Sequence, residues 1–133
     1  MDQSVKILII DDDEHILAIL SDFLKSKDYD VITASDGFEG LKLFENYPQG
    51  FNLIITDIVM PQISGTGLIS IIKKRFPDTP IIAISGWGEY PGEYALESQA
   101  DKVLSKPFEL SKLDNVIKEL ISSKINKIGI KQS

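Results

Sequence analysis

Phe51-Asn52-Leu53-Ile54-Ile55-Thr56-Asp57 is the stretch on which the fold turns. An almost wholly apolar run suits a strand covered on both faces, as happens when helices pack on each side of a parallel sheet. The run ends abruptly on a carboxylate. Other short apolar runs lie on either side of it. Upstream, Val5 to Ile10 closes on Asp11-Asp12-Asp13, and Val31-Ile32-Thr33-Ala34 makes a second strand. Downstream, Ile81 to Ile84 reads as a fourth strand and Val103-Leu104 as a brief fifth.

The intervals carry helical periodicity. Ile16, Leu17, Leu20, Phe23 and Leu24 mark a first helix, with Asp13 at its opening. Leu41 and Phe44 give the second its buried face, behind an Asp36/Glu39 pair that resembles a capping box. Leu68, Ile71 and Ile72 mark the third, whose last turn holds Lys73, Lys74 and Arg75, suited to the negative end of a helix dipole, before Pro77 and Pro80 stop it. Ser111 with Asp114 predicts the cap of a last helix carrying Leu113, Val116, Ile117, Leu120 and Ile121. The segment Gly86 to Ala100 is broken by Gly88, Pro91 and Gly92, which predicts a long loop with a short helix near Glu93 to Ser98.

With no internal repeat or linker, five strand–helix units make one α/β domain with a parallel sheet, spanning residues 1–123. Residues 124–133 form a Lys-rich tail, read as a helix extension, a fraying end or the start of a linker. At 133 residues, 43% hydrophobic and 26% charged, the chain is sized for one core. Its formal net charge of −6 argues against a broad nucleic-acid-binding face. The absence of cysteine excludes disulfides, thiolate metal sites and thiol nucleophiles. Val5 to Ile10 is too short for a signal sequence and no stretch is long enough for a membrane span, so the cytoplasm is the expected location.

In open parallel sheets, ligands bind beyond the carboxyl ends of the strands. Asp11, Asp12, Asp57, Ser85 and Lys106 all fall there. A lone Asp after a strand is ordinarily a cap or turn former, the reading kept for Asp13, but five suitable residues at one sheet edge form a site. Crowded carboxylates repel unless a cation neutralises them, and oxygen ligands at an open rim suit Mg²⁺. Asp57, central in the sheet, is the candidate nucleophile, because carboxylates form acyl phosphates; Lys106 and Ser85 can hold the other oxygens of a transferring phosphoryl group.

Four motifs in order, Ile9-Ile10-Asp11-Asp12-Asp13, Thr56-Asp57-Ile58-Val59-Met60-Pro61 with Gly65 downstream, Ile84-Ser85-Gly86, and Lys106-Pro107-Phe108, make the chain resemble the response-regulator receiver family from about Val5 to Ile121. The resemblance implies a flavodoxin-like, doubly wound five-stranded sheet in order 2-1-3-4-5 with helices on both faces. It implies phosphotransfer to Asp57 from a sensor histidine kinase or a phosphotransfer protein. Asp12, Asp57 and the Val59 backbone carbonyl would contact Mg²⁺, for which Mn²⁺ can substitute, with Asp11 acting mostly through water. Ser85 and Lys106 would bind the phosphoryl group, and Lys106–Pro107 would be a cis peptide. Such a module is a phosphoacceptor that assists its own phosphotransfer and dephosphorylation rather than a turnover enzyme. Its output is a changed interaction surface, with homodimerisation on phosphorylation among the outcomes.

Three departures bear on that output. Val103 stands where many members carry an aromatic switch residue; Gln99 replaces a common Gly; and Val59 and Trp87, two beyond Asp57 and Ser85, are apolar and cannot orient an attacking water, which predicts slow self-dephosphorylation. Trp87, Tyr90 and Tyr94 offer either a partner-binding surface or plain packing. His15 reads as a surface residue. The alternatives are a phosphorelay intermediate, a receiver excised from a hybrid kinase or larger regulator, an Mg²⁺-dependent aspartyl-phosphate hydrolase, and a flavin- or nucleotide-binding module. The hydrolase would want a second acid where Val59 stands, and Asp11-Asp12-Asp13 would repel the phosphate of a nucleotide.

Overall fold

A computed structural model describes residues 4–47, 50–58, 65–86 and 100–132, with side chains described as far as Ser123 and excluding those of residues 65 and 66. In chain order the elements are β1 (Lys6–Ile10), α1 (Glu14–Ser26), β2 (Asp30–Ala34), α2 (Gly37–Asn46), β3 (Leu53–Asp57), α3 (Gly65–Arg75), β4 (Ile81–Ser85), β5 (Lys102–Ser105) and α4 (Leu110–Gln132). All strand pairs are parallel and the order is β2-β1-β3-β4-β5. The short helix expected near Glu93 to Ser98 lies outside the described residues.

Alternation along the strands divides the core in two. Ile7, Ile9, Leu53, Ile55, Ile82, Ile84 and Leu104 pack with Leu17, Leu20 and Leu24 of α1 and Leu113, Val116 and Ile117 of α4. Leu8, Ile10, Ile54, Ile81 and Ala83 pack on the other side with Phe44 of α2 and Leu68, Ile69 and Ile72 of α3. Each fully buried Leu or Ile stabilises by about 1.5–3 kcal/mol relative to exposure, so this two-sided burial holds the central strands in place. It also explains why β3 and β4 are buried at every residue.

Gly40 of α2 sits directly over the end of β1. A Cβ there would overlap Cδ1 and Cγ1 of Ile10, the residue before Asp11, so glycine permits the close approach of helix and strand.

Local expectations fare unevenly. Asp13 caps α1 by accepting from the N–H groups of His15 and Ile16. At α2, Asp36 accepts from the Glu39 N–H at 2.7 Å, while Glu39 reaches one residue further back than a capping box requires, to the N–H of Ser35 at 2.7 Å. In α3 the buried stripe is Leu68, Ile69 and Ile72, and Ile71 is only half-buried. The expected Ser111 cap is corrected: α4 begins at Leu110, and the first backbone bonds run from Lys112 and Leu113 to the Glu109 carbonyl. Asp114 is instead buried, accepting from the Tyr29 hydroxyl at 3.0 Å and pairing with Lys118 at 3.1 Å. Burial, with the Asp114 carboxylate beside it, pushes the Tyr29 hydroxyl up to about 12. The helix continues through the Lys-rich tail to Gln132. Among the described residues no helix is long and apolar enough to cross a membrane.

Candidate functional site

Two parallel strands deliver the three carboxylates. β1 ends at Ile10, so Asp11 and Asp12 emerge at the carboxyl edge of the sheet, and the neighbouring β3 ends on Asp57. One carboxylate oxygen each from Asp11, Asp12 and Asp57 lie within 4.8 Å of one another. Asp11 is 1% exposed and Asp57 7%, whereas Asp12 faces solvent. Two buried anions and one at the rim make a cup that opens outward.

Asp11 carries the cup's least satisfied group. Its Oδ1 accepts from the Asp13 N–H at 2.8 Å, but its Oδ2 is buried without a hydrogen-bond partner. The nearest described cation, the Lys106 ammonium, stands 3.7 Å from Oδ2, beyond hydrogen-bond length. Burial therefore pushes the Asp11 carboxyl above its usual range; the Asp13 N–H and Lys106 oppose the shift, and the charges of Asp12 and Asp13 add to it. A buried carboxylate oxygen without a hydrogen bond, in a residue clustered with two other carboxylates, fits a hard divalent cation, which favours oxygen ligands over nitrogen or sulfur.

Lys106 and Ser85 complete the edge from the other side. Ser85 is the last residue of β4, one beyond Ile84, the register partner of Asp57. Its side chain is fully buried, and its carbonyl accepts from the Lys106 N–H at 2.9 Å. The Lys106–Pro107 peptide is cis. Ile58 N–H donates to the Ile84 carbonyl at 2.9 Å, extending the β3–β4 ladder one step past Asp57 and holding that residue in line.

The structure thus brings Asp11, Asp12 and Asp57 together and sets Lys106 against Asp11. Val103 packs half-buried against the core on the α2–α3 side. His15 is exposed on the first turn of α1. Val59, Trp87, Tyr90 and Tyr94 lie outside the described residues. One neighbour escaped the sequence reading. Ser105 Oγ lies 3.2 Å from the Ser85 hydroxyl, and pairing the ends of the fourth and fifth strands would have pointed to it.

Comparison with known proteins agrees with this arrangement. A family model described as the response regulator receiver domain matches residues 7–118. The chain belongs to that family. The receiver domain is 36% identical over 118 residues to a probable transcriptional regulator, ycf27, of Cyanophora paradoxa, an alignment covering 87% of this chain and 48% of that protein. Among solved structures it is similar to a response regulator receiver domain protein from Clostridium thermocellum, with TM-score 0.85 and 33% identity over 90% of this chain and 96% of that one. A receiver domain protein from Methanospirillum hungatei gives TM-score 0.88 and 31% identity over 94% and 99% of the two chains. The receiver domain spans about half the length of the curated regulators it matches first.

Proposed function

We propose that Asp57 accepts a phosphoryl group from the phosphohistidine of a sensor kinase or phosphotransfer protein, and that the added charge rebiases an interaction surface. The observation that carries this reading is the cup itself: Asp57 sits with Asp11 and Asp12 in a cluster whose Asp11 Oδ2 lacks a hydrogen-bond partner. Asp11, Asp12 and Asp57, joined by the Val59 carbonyl, would hold Mg²⁺ or Mn²⁺. Such a cation, when bound, supplies charge neutralisation for the transferring phosphoryl oxygens. The chain does the rest. An Asp57 carboxylate oxygen attacks phosphorus, an O–P bond forms as the N–P bond breaks, and the imidazole leaves. Lys106 offers its ammonium, and Ser85 its hydroxyl, to the phosphoryl oxygens.

The receiver unit is taken as residues 1–123, with 124–133 as its extension, working in the cytoplasm. Output through β5 and α4, with Val103, Trp87, Tyr90 and Tyr94 as contact candidates, is the part of the reading furthest from the cup. The length of the matched regulators favours a switch acting on an effector in a longer protein; phosphorelay and hybrid-kinase settings and phosphorylation-driven dimerisation belong to the same proposal. The chain's charge of −6 favours protein partners over direct nucleic-acid contact.

The test is incubation with Mg²⁺ and acetyl phosphate. Wild type gains one phosphoryl group, and Asp57→Ala gains none. An unmodified wild type, or a modified Asp57→Ala, overturns the reading. With Val59 and Trp87 at the water-positioning sites, the label persists for minutes once donor is removed in Mg²⁺; loss within seconds contradicts that expectation.

A further inference from the structure

The Ser85 hydroxyl has two polar neighbours on the adjacent strand: the Leu104 carbonyl at 3.4 Å and Ser105 Oγ at 3.2 Å. Both lie on β5, and Ser85 and Ser105 are register partners at the ends of their strands. Side chains of paired residues in a parallel sheet project from the same face, which is why the hydroxyls meet. Ser105 also precedes Lys106, whose N–H holds the Ser85 carbonyl at 2.9 Å. The last residue of β5 and the residue after it therefore both engage Ser85, Ser105 through its side chain and Lys106 through its backbone.

A hydroxyl carries one proton and two acceptor lone pairs. While Ser85 donates to Leu104 or Ser105, its proton is unavailable to a phosphoryl oxygen. The Leu104 carbonyl can accept but never donate, so it cannot support Ser85 once that proton turns away. Ser105 can do both, and it is exposed, so its own proton is free to face water in the resting state.

We propose that Ser105 is a positioning residue for phosphoryl binding, an inference that rests on Asp57 as phosphoacceptor. When the phosphoryl group is present, Ser85 donates to one of its oxygens and Ser105 reverses, donating to Ser85 Oγ. No covalent bond changes; two hydroxyl rotors turn. The resulting chain, from Ser105 O–H to Ser85 O–H to phosphoryl oxygen, is mutually polarising, and each link strengthens the next. Replacing Ser105 removes the rear donor while leaving Asp11, Asp12, Asp57 and Lys106 untouched.

The experiment titrates the full chain with beryllium fluoride in saturating Mg²⁺ by calorimetry, for wild type, Ser105→Ala, Ser105→Thr, Ser85→Ala and the Ser85→Ala/Ser105→Ala double variant. Ser105→Ala weakens beryllofluoride binding by roughly three- to tenfold, as expected for one lost hydrogen bond. Its Mg²⁺ affinity and melting temperature stay at the wild-type values, separating positioning from a folding defect. Ser105→Thr, which keeps the hydroxyl, binds within about twofold of wild type, and the double variant is no weaker than Ser85→Ala alone, as coupled residues require. Wild-type binding by Ser105→Ala, additive losses in the double variant, or failure of threonine to rescue overturns the role of Ser105 and leaves the phosphoacceptor reading standing. A wild type that does not bind beryllofluoride overturns both.

Discussion

The two edges of the sheet handle buried charge in opposite ways. At the amino edge, the Lys73 ammonium is nearly buried but fully engaged: it lies 2.7 Å from Asp101 Oδ2 and donates to the Thr79 carbonyl at 2.7 Å and the Pro77 carbonyl at 3.3 Å. Asp101 Oδ2 in turn accepts from the Ile81 N–H at 2.7 Å, fastening α3 to the start of β4. Nearby, Lys6 pairs with Asp30 at 2.9 Å and with the Tyr47 hydroxyl at 3.0 Å. These contacts, Tyr47 first and Asp30 next, hold the Lys6 ammonium above its usual range. At the carboxyl edge Asp11, Asp12 and Asp57 cluster together, and Asp11 Oδ2, 3.7 Å from the Lys106 ammonium, is buried without a hydrogen bond. Paired charge at one edge ties elements together, while at the other a buried carboxylate oxygen of Asp11 is left without a hydrogen-bond partner.

That contrast can be broken most sharply at Asp57. Asp57→Ala abolishes acetyl phosphate labelling outright, whereas no substitution at the amino edge should do so while the domain stays folded; mass spectrometry of the intact chain reads both. The converse experiment is Lys73→Met. Removing one partner of a largely buried pair strands Asp101 and the Thr79 carbonyl, and unfolding stability in urea falls by about 2 kcal/mol, below the value for a wholly buried pair because Asp101 is a third exposed. Labelling of the folded fraction is unchanged. A Lys73→Met variant as stable as wild type would mean that the amino edge is no clamp.

The smallest effect has the opposite sign. Asp11→Asn keeps the acceptor for the Asp13 N–H but discards a poorly compensated buried charge, so the metal-free domain gains about 1 kcal/mol at neutral pH and loses most of its stabilisation by Mg²⁺. The direction with pH follows. The folded-state pKa of Asp11 is raised, so the favourable contribution of its protonated form is complete below the unfolded value and is lost as pH rises through the folded one. In EDTA, the stability gap between Asp11→Asn and wild type therefore closes as pH is lowered from 7 toward 4. Denaturant unfolding across that range checks it, and a gap that widens would refute the assignment.

The sequence was most legible where burial repeats with a simple period. The strands were placed within a residue or two, because runs such as Phe51 to Thr56 are almost wholly apolar, and strand ends then located Asp11, Asp57, Ser85 and Lys106. Misreadings arose where distant partners override local pattern. Ser111 and Asp114 look like a cap, but Tyr29, 85 residues away, draws Asp114 inward. Lys73 does lie in the last turn of α3 with Lys74 and Arg75, as read from the sequence, but its tie to Asp101 was not legible there. Ser105 drew no reading from the sequence, because its place beside Ser85 emerges only from the register with β4.

Gly40 gives the carboxyl edge a hidden dependency. The cup is only as well aligned as the last residue of β1, and Ile10 is seated in the notch left by the missing side chain of a helix thirty positions along the chain. A methyl group there would act as a shim, prising α2 off β1 or displacing Ile10, and the misalignment would reach Asp11 through one peptide unit. The alignment of the carboxylate cup is thus set on the opposite side of the strand from Asp11, by a residue with no chemistry to offer.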